Sequence, residues 1–173
     1  MAVEAKLVMS WSKCKIEYGK TGASDAMATA LKSLGVISDK STSMTTEEGE
    51  SLEAKATGGV IVAFEQGEPI VSITTRVKEP TFDLEKELTG ATVGGTSSDE
   101  LKVKTNVVIG DFSLKLTPKN IGSVGIKARK CHVSYKPGYS EEEGHYADIT
   151  FKILACADGE LYTKYKVAAK DWQ

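Results

Sequence analysis

The sequence is poor in the residues that most often carry out chemistry. It contains two histidines, His132 and His145, among 173 residues. Ser-His-Asp catalysis needs a histidine that is held by a carboxylate beside a nucleophile. His132 lies in a strand-like segment and His145 in an acidic one, and neither belongs to such a motif. We therefore predict no catalytic residue and interpret the chain as non-enzymatic.

Cysteine is also scarce, with Cys14, Cys131 and Cys156 at uneven spacing. An odd number of cysteines in strand-like sequence favours reduced core thiols over a disulfide framework. A structural zinc site needs paired cysteines or histidines at short spacing, which the sequence lacks. Gly19-Lys20-Thr21 resembles the end of a phosphate-binding loop, but Cys14 stands where that motif has a glycine. We predict no metal ligand and no cofactor.

No excess of one charge is present, because 22 basic residues face 24 acidic residues and the formal net charge is -2. A chain without surplus lysine and arginine lacks a broad phosphate-binding face, so tight binding to nucleic acid is not expected. The first nine residues include Glu4 and contain no apolar run long enough for a signal core or a membrane span. These features favour the cytoplasm and no membrane partner.

What the sequence does contain is alternation of polar and apolar residues with a period of two, the pattern of half-buried strands. Two further segments, residues 60–64 and 70–78, have apolar runs that predict strands buried on both faces. The alternating segments are residues 13–18, 51–56, 112–117, 131–136, 149–153 and 163–167.

Turn signals separate these strands, and they predict antiparallel neighbours. They are Gly58-Gly59, Gln66-Gly67-Glu68-Pro69, Lys136-Pro137-Gly138 and Asp158-Gly159, and residues 90–98 are interpreted as a loop. Around ten strands without regular strand-helix alternation favour a mainly β fold, a β-sandwich or β-barrel, over a doubly wound one. No domain boundary is evident, so residues 1–173 are predicted to form a single domain.

Two short helices are predicted to flank the sheet. The first spans about residues 25–34, with Ser24 as its N-cap and Gly35 at its end. The second spans residues 81–88 after Pro80 and stops before Gly90, with Leu84 and Leu88 four positions apart on one face. That face is expected to lie on the sheet.

Acidic residues cluster at residues 47–50 and 141–143, where solvated loop charge is the expected role. The first cluster follows a strand rich in serine and threonine and precedes a Glu-Ala type strand, a strand over residues 70–78 and a short helix. Residues 36–59 resemble the long hairpin of phage tail tube proteins, including the tubes of related contractile injection systems and prophages. The resemblance in order and composition extends over residues 36–90. We therefore expect a projecting hairpin at about residues 38–60.

The resemblance implies a major tail protein, a virion structural protein that self-assembles into hexameric rings stacked into a tube. DNA or another cargo would pass through the tube, and sheath, terminator or baseplate proteins would be further partners. The protein would assemble in the host cytoplasm and reside in the virion tail or a tail-like particle. The implied assembly interface comprises Met44, Thr45, Thr46, Glu47, Glu48 and Glu50.

Two other classes of function stay open at this point. The first is a non-catalytic β-sandwich that recognises a sugar or a peptide through its loops, for which Tyr139 and Tyr146 beside the second acidic cluster are candidate contacts. The second is an enzyme, which would require a cleft with strongly perturbed acids.

Overall fold

The computed structural model describes residues 11, 13–105 and 109–172. Residues 1–9, for which the sequence predicts neither a signal core nor a membrane span, lie outside the described residues. The prediction of a mainly β chain is confirmed, because antiparallel strands form a sheet that curls into a half-barrel. No helix within the described ranges is long and apolar enough to cross a membrane.

Thirteen strands and one α-helix make up the described part of the chain. The first seven strands are β1 (Cys14–Lys20), β2 (Lys32–Ser33), β3 (Val36–Ile37), β4 (Ser43–Glu47), β5 (Ser51–Lys55), β6 (Ile61–Gln66) and β7 (Ile70–Lys78). The helix α1 (Phe82–Thr89) is followed by β8 (Thr92–Gly94), β9 (Glu100–Lys102), β10 (Phe112–Pro118), β11 (Val124–Ser140), β12 (Gly144–Ile153) and β13 (Thr163–Lys166). Short 3-10 segments lie at Ala23–Asp25 and Ala169–Trp172.

Nine strands form the main sheet in the order β2-β1-β10-β11-β12-β7-β3, with β13 also paired to β11 and β4 also paired to β7. The 17-residue strand β11 pairs with three other strands of this sheet. Its first residues pair with β10 and β13, and its later residues pair with β12. β12 and β13 therefore lie one after the other beside β11. β13 pairs with residues 124–127 of β11, and β12 pairs with the residues from Cys131 onward.

The core lies on the concave face of this sheet, where the alternating apolar side chains meet. Leu114 and Leu116 of β10 pack with Ile149 and Phe151 of β12, and all four are buried. Period-two alternation sends every second side chain of a strand to the same face. The pattern read from residues 112–117 and 149–153 is thus the pattern that fills the core.

Helix α1 closes one part of this core, as predicted. The Thr81 hydroxyl accepts a hydrogen bond from the Leu84 amide at 3.3 Å, and Gly90 ends the helix in the left-handed conformation with φ of 69°. Leu84 and Leu88 are buried in the core cluster. The capping residues set the limits of the helix, and the two leucines dock it on the sheet.

The first predicted helix, over residues 25–34, is wrong. Only the 3-10 turn Ala23–Asp25 is helical, with Gly22 at its N-cap position and Ser24 at φ of 56°. The Asp25 carboxylate accepts a hydrogen bond from the Ala157 amide at 3.0 Å and pairs with the Lys130 ammonium at 3.1 Å. These long-range contacts hold Asp25 outside a continuous helix. Further along the chain, Lys32–Ser33 forms the strand β2, which pairs with β1.

Three further predictions are corrected. Lys136-Pro137-Gly138 is not a turn, because it continues β11 and pairs with β12, and the chain reverses at residues 141–143. Residues 90–98 are not all loop, since β8 forms a short hairpin with β9. Residues 60–64 do form most of a strand, but that strand is exposed along its whole length instead of buried on both faces. In β7 one face is buried and the other is half-buried.

Candidate assembly interface

A long antiparallel ribbon leaves the main sheet where β4 ends, at Glu47, and β7 begins, at Ile70. β4 pairs with β7 so that Glu47 lies opposite Ile70, and β5 pairs with β6 so that Ser51 lies opposite Gln66. Three residues on each side, 48–50 and 67–69, separate the two ladders, so the register continues from one to the other. Residues 48–69, here called the arm, therefore form the outer half of one hairpin.

The joint between the two ladders is held by the backbone. The Gly67 amide donates a hydrogen bond to the Glu50 carbonyl at 2.8 Å. A Cβ atom at Gly49 would lie closer to the Gly67 and Glu68 backbones than real Cβ atoms approach. Glycine at this position therefore lets the two strands stay together where regular pairing stops.

The tip of the arm is a tight reversal at residues 56–60. The Ala56 amide donates to the Val60 carbonyl at 2.8 Å, and the Gly59 amide donates to the Ala56 carbonyl at 3.0 Å. Gly58 and Gly59 have φ of 92° and 81°, the region that glycine adopts without steric cost. At about 3.3 Å per residue, the ten residues from 48 to 57 extend roughly 30 Å.

Large apolar side chains are exposed on the arm, although such residues normally fill a core. An isolated two-stranded hairpin is at best marginally stable in water, and contiguous exposed apolar surface marks sites of interaction. The arm thus has the properties of an element that is completed by a partner. The side chains are Leu52, Val60, Ile61, Val62 and Phe64, with between 50% and 71% of their surface exposed.

The arm is also strongly acidic. It contains five glutamates and one lysine, whereas the whole chain has a formal net charge of -2. Glu53 pairs with Lys55 at 3.3 Å, and the structure records no ion pair for the other four glutamates within the described residues. The arm therefore carries a net charge of about -4, and the rest of the chain is slightly basic.

The predicted interface residues lie together along one edge of the sheet, but not at a turn. Met44, Thr45, Thr46 and Glu47 belong to β4, whose only pairing partner in the described chain is β7. Glu48 and Glu50 lie in the joint. The prediction that residues 47–50 turn the hairpin is wrong, because β5 pairs with β6 and the chain reverses ten residues later.

Sequence reasoning missed the apolar residues of the arm. The run Val60-Ile61-Val62 with Phe64 predicts a strand buried on both faces, because apolar composition alone does not distinguish a core strand from an interface strand. The signal that distinguishes them is the surrounding charge. Glu50, Glu53, Glu65 and Glu68 flank the run, and such acidic flanks are unfavourable beside a strand that enters a core.

Unpaired strand edges run along the same ribbon. Within the described residues β5 and β6 pair only with each other, so each strand has one edge with free backbone donors and acceptors. Exposed edges of this kind add readily to a strand of another chain. The arm therefore offers backbone hydrogen bonds, apolar side chains and negative charge on one element.

The cysteine thiols are free and protonated. All three cysteines are free thiols, and burial raises the pKa of Cys14 to about 11 and that of Cys131 to about 12. Thiols with such values stay protonated near neutral pH and are poor nucleophiles. The described part of the chain contains no group of three or more side chains able to hold a metal ion.

One buried polar cluster lies between α1 and the sheet. Glu85 of α1 is buried, and this burial raises its pKa, while the charge of His145 acts in the opposite direction. The Tyr135 hydroxyl and the His145 Nε2 atom are buried without a hydrogen-bond partner in the structure. Tyr139 stacks on the His145 ring with centroids 4.4 Å apart and planes 4° from parallel.

Comparison with models of known protein families and with curated proteins gives no match to this chain. The resemblance to tail tube proteins therefore stays a prediction from residues 36–90. The structural features that bear on function are the mainly β fold and the exposed arm.

Proposed function

We propose that the protein is a structural subunit that assembles with copies of itself through the arm, and that its assemblies are the stacked rings of a phage-type tail tube. The observation that carries this proposal is the arm, an exposed ribbon whose apolar side chains and strand edges have no covering element within the described residues. Hexameric symmetry and the role in a tail are supported by the resemblance of residues 36–90.

A contact between the arm and the body of another copy joins two different surfaces. Contacts of this kind repeat from one subunit to the next, and they close into rings or continue as filaments. A tube built by ring closure and ring stacking needs such contacts and requires no catalytic group. Function then resides in the geometry of a repeated interface.

The charge of the chain agrees with a conduit for nucleic acid. A tube wall must let DNA pass without holding it, and binding to phosphates scales with the number of cations offered. The chain has two more acidic than basic residues, so it lacks a surplus of cations. DNA is therefore proposed as passing cargo, with other tail proteins as end partners.

The test compares the full chain with a variant in which residues 51–66 are replaced by Asn-Gly. This dipeptide closes a two-residue hairpin between Glu50 and Gly67, so the strands of the main sheet keep their register. Negative-stain imaging and light scattering are expected to show rings or tubes for the full chain and monomers for the shortened one. A full chain that stays monomeric at high concentration, or a shortened chain that still forms rings, contradicts the proposal.

A second candidate function is a β-domain that binds a sugar or a peptide through its loops. The observation that favours it is Tyr139, which is 76% exposed and stacked on His145 at the end of the hairpin between β11 and β12. A rigid exposed aromatic ring is a suitable platform for a sugar ring or an apolar side chain. Binding to a glycan or peptide array that disappears in Tyr139→Ala, from a monomeric protein, would support it over the tube.

A further inference from the structure

A cluster of lysines lies around β13, at the end of the sheet from which the arm also leaves. Lys164 and Lys166 belong to β13, opposite Ile126 and Val124 of β11. Lys170 follows in the 3-10 segment Ala169–Trp172, whose Trp172 indole donates to the Pro118 carbonyl next to Lys119. These four lysines, with the exposed side chains of Ile121 and Val124, are here called the lysine patch.

The lysine patch carries net positive charge, and the charge of Lys170 helps to lower the pKa of Asp171 in the same 3-10 segment. All four lysines are exposed, and within the described residues the structure records no ion pair for any of them. Other basic groups of the body do have carboxylate partners, such as Arg76 with Asp148 and Lys115 with Asp171. The patch is therefore opposite in charge to the arm, where four glutamates have no recorded ion pair within the described residues.

The two surfaces offer matching kinds of contact as well as opposite charge. The arm adds apolar side chains and free strand edges to its glutamates, and the patch adds Ile121, Val124 and the outer edge of β13 to its lysines. Charged groups at the rim of an apolar contact steer association and fix register. A strand edge on each side allows backbone pairing between them.

Strand register places both surfaces at the same end of the sheet. Val71 of β7 lies opposite Ile153 of β12, and Ile153 lies opposite Cys131 of β11. The arm begins just beyond Val71, and β13 pairs with the part of β11 that continues beyond Cys131 in the same direction. The arm does not cover the patch of its own chain, because the strand residues of β6 and Lys164 and Lys166 are all exposed.

We propose that the arm of one copy docks on the lysine patch of a second copy that lies beside it, with both copies pointing the same way. This inference rests on the proposed function and adds the acceptor surface and the arrangement. Because arm and patch lie at one end, repetition of the contact moves around an axis and builds a ring, and stacking of rings uses other surfaces.

The test joins carboxylates to amines that are in contact. Equal amounts of full chain with natural nitrogen and with nitrogen-15 are mixed as dissociated monomers and assembled together. The mixture is then treated with a water-soluble carbodiimide and digested for mass spectrometry. The expected products link Glu48, Glu50, Glu65 or Glu68 to a lysine of the patch, in peptides that combine both isotopes. Links between arm and patch of one isotope only mean that the arm folds on its own chain, and they overturn the proposal.

Charge reversal supplies a second readout. Lys164→Glu with Lys166→Glu is expected to weaken association about 10- to 100-fold, as is Glu65→Lys with Glu68→Lys, and mixing the two variants is expected to restore it. The matched control is Lys78→Glu with Lys40→Glu, two exposed lysines outside the arm and the lysine patch. An effect of the patch variant no larger than that of the control overturns the proposal.

The outcomes separate this inference from the proposed function. If the unmodified chain forms rings while the patch variant forms them equally well, the acceptor surface is wrong and self-assembly stands. If the unmodified chain never associates, both fall. A short DNA duplex that binds the unmodified chain and not the patch variant, with no cross-links from the arm, would assign the patch to nucleic acid and overturn the proposal.

Discussion

Replacing Val62 and Phe64 by threonine isolates the contribution of the arm to assembly. Both residues belong to β6, where Phe64 lies opposite Glu53 and the register with β5 shifts at Val62. They are 64% and 58% exposed. Threonine keeps a high strand propensity, so the ribbon itself should persist while its apolar surface is reduced.

The magnitude follows from the exposed surface that a partner would cover. Full burial of a valine or phenylalanine side chain is worth about 1.5 to 3 kcal/mol. With roughly 60% of each side chain available, the pair contributes about 1.8 to 3.6 kcal/mol to each contact between copies. Since about 1.4 kcal/mol corresponds to a tenfold change, loss of this contribution should raise the concentration at half-assembly roughly 20- to 400-fold.

Light scattering over a concentration series measures this shift, and thermal unfolding of the dilute monomer checks the fold. The free energy of unfolding of the monomer should change by less than about 0.5 kcal/mol, because neither side chain is in the core. Val103→Thr, at another exposed valine outside the arm, is the control and should shift nothing. An unchanged half-assembly concentration in the double variant, or a strongly destabilised monomer, would refute the reasoning.

Three further predictions concern the fold. Leu114→Ala removes a fully buried side chain and should lower the free energy of unfolding by about 2 to 5 kcal/mol in urea, whereas Leu52→Ala in the arm should change it by less than about 0.5 kcal/mol. Thr81→Ala removes the cap of α1 and should cost about 1 kcal/mol. Hydrogen bonding to Arg76 lowers the pKa of Asp148 in the folded state below its ordinary value of 3.8. The ionised carboxylate therefore stabilises the fold fully at pH values above 3.8. This stabilisation is lost as the pH falls through the lower pKa of the folded state. Asp148→Asn should therefore be less stable than the unmodified chain near neutral pH, and the difference should fade in acid.

Each of these has a clear contrary result. Equal losses from Leu114→Ala and Leu52→Ala would mean that the arm is part of the core. A Thr81→Ala variant as stable as the parent would show that the side-chain cap does not hold α1. If the difference in the free energy of unfolding between Asp148→Asn and the parent persists unchanged across the acid range, the interaction of the ionised carboxylate with Arg76 is not its source.

Much of the fold follows from local patterns. Alternation over residues 112–117 and 149–153 predicts strands whose inward side chains form the core, because strand geometry fixes which face each residue occupies. Helix α1 is predictable for a similar reason, since Thr81 and Gly90 supply its caps within a few residues. Where the determinants are local, the sequence is sufficient.

The failures arise where distant contacts decide the conformation. Residues 25–34 have a helical apolar spacing, but Asp25 is held by Ala157 and Lys130, more than a hundred positions away. Likewise Lys136-Pro137-Gly138 has turn composition, yet pairing with β12 keeps it extended, and Gly138 leaves room for the ring of Tyr146. Tertiary pairing outweighs local preference at both sites.

The sequence predicts a projecting hairpin at about residues 38–60, and the exposed arm at residues 48–69 overlaps it in part. The acidic cluster at residues 47–50 has turn composition, but it does not turn the hairpin. The pairing partner of β5 decided otherwise, and strand pairing is a non-local property. The exposure of the apolar residues 60–64 depends on the same pairing, because β6 has only β5 beside it within the described residues.

Amide hydrogen exchange of the arm, compared between dilute monomers and assembled material, tests the central claim most directly. If copies are joined through this ribbon, the amides of β5 and β6 should exchange rapidly in the monomer and become strongly protected on assembly. Assemblies in which those amides exchange as fast as in the monomer would contradict a contact made by the arm.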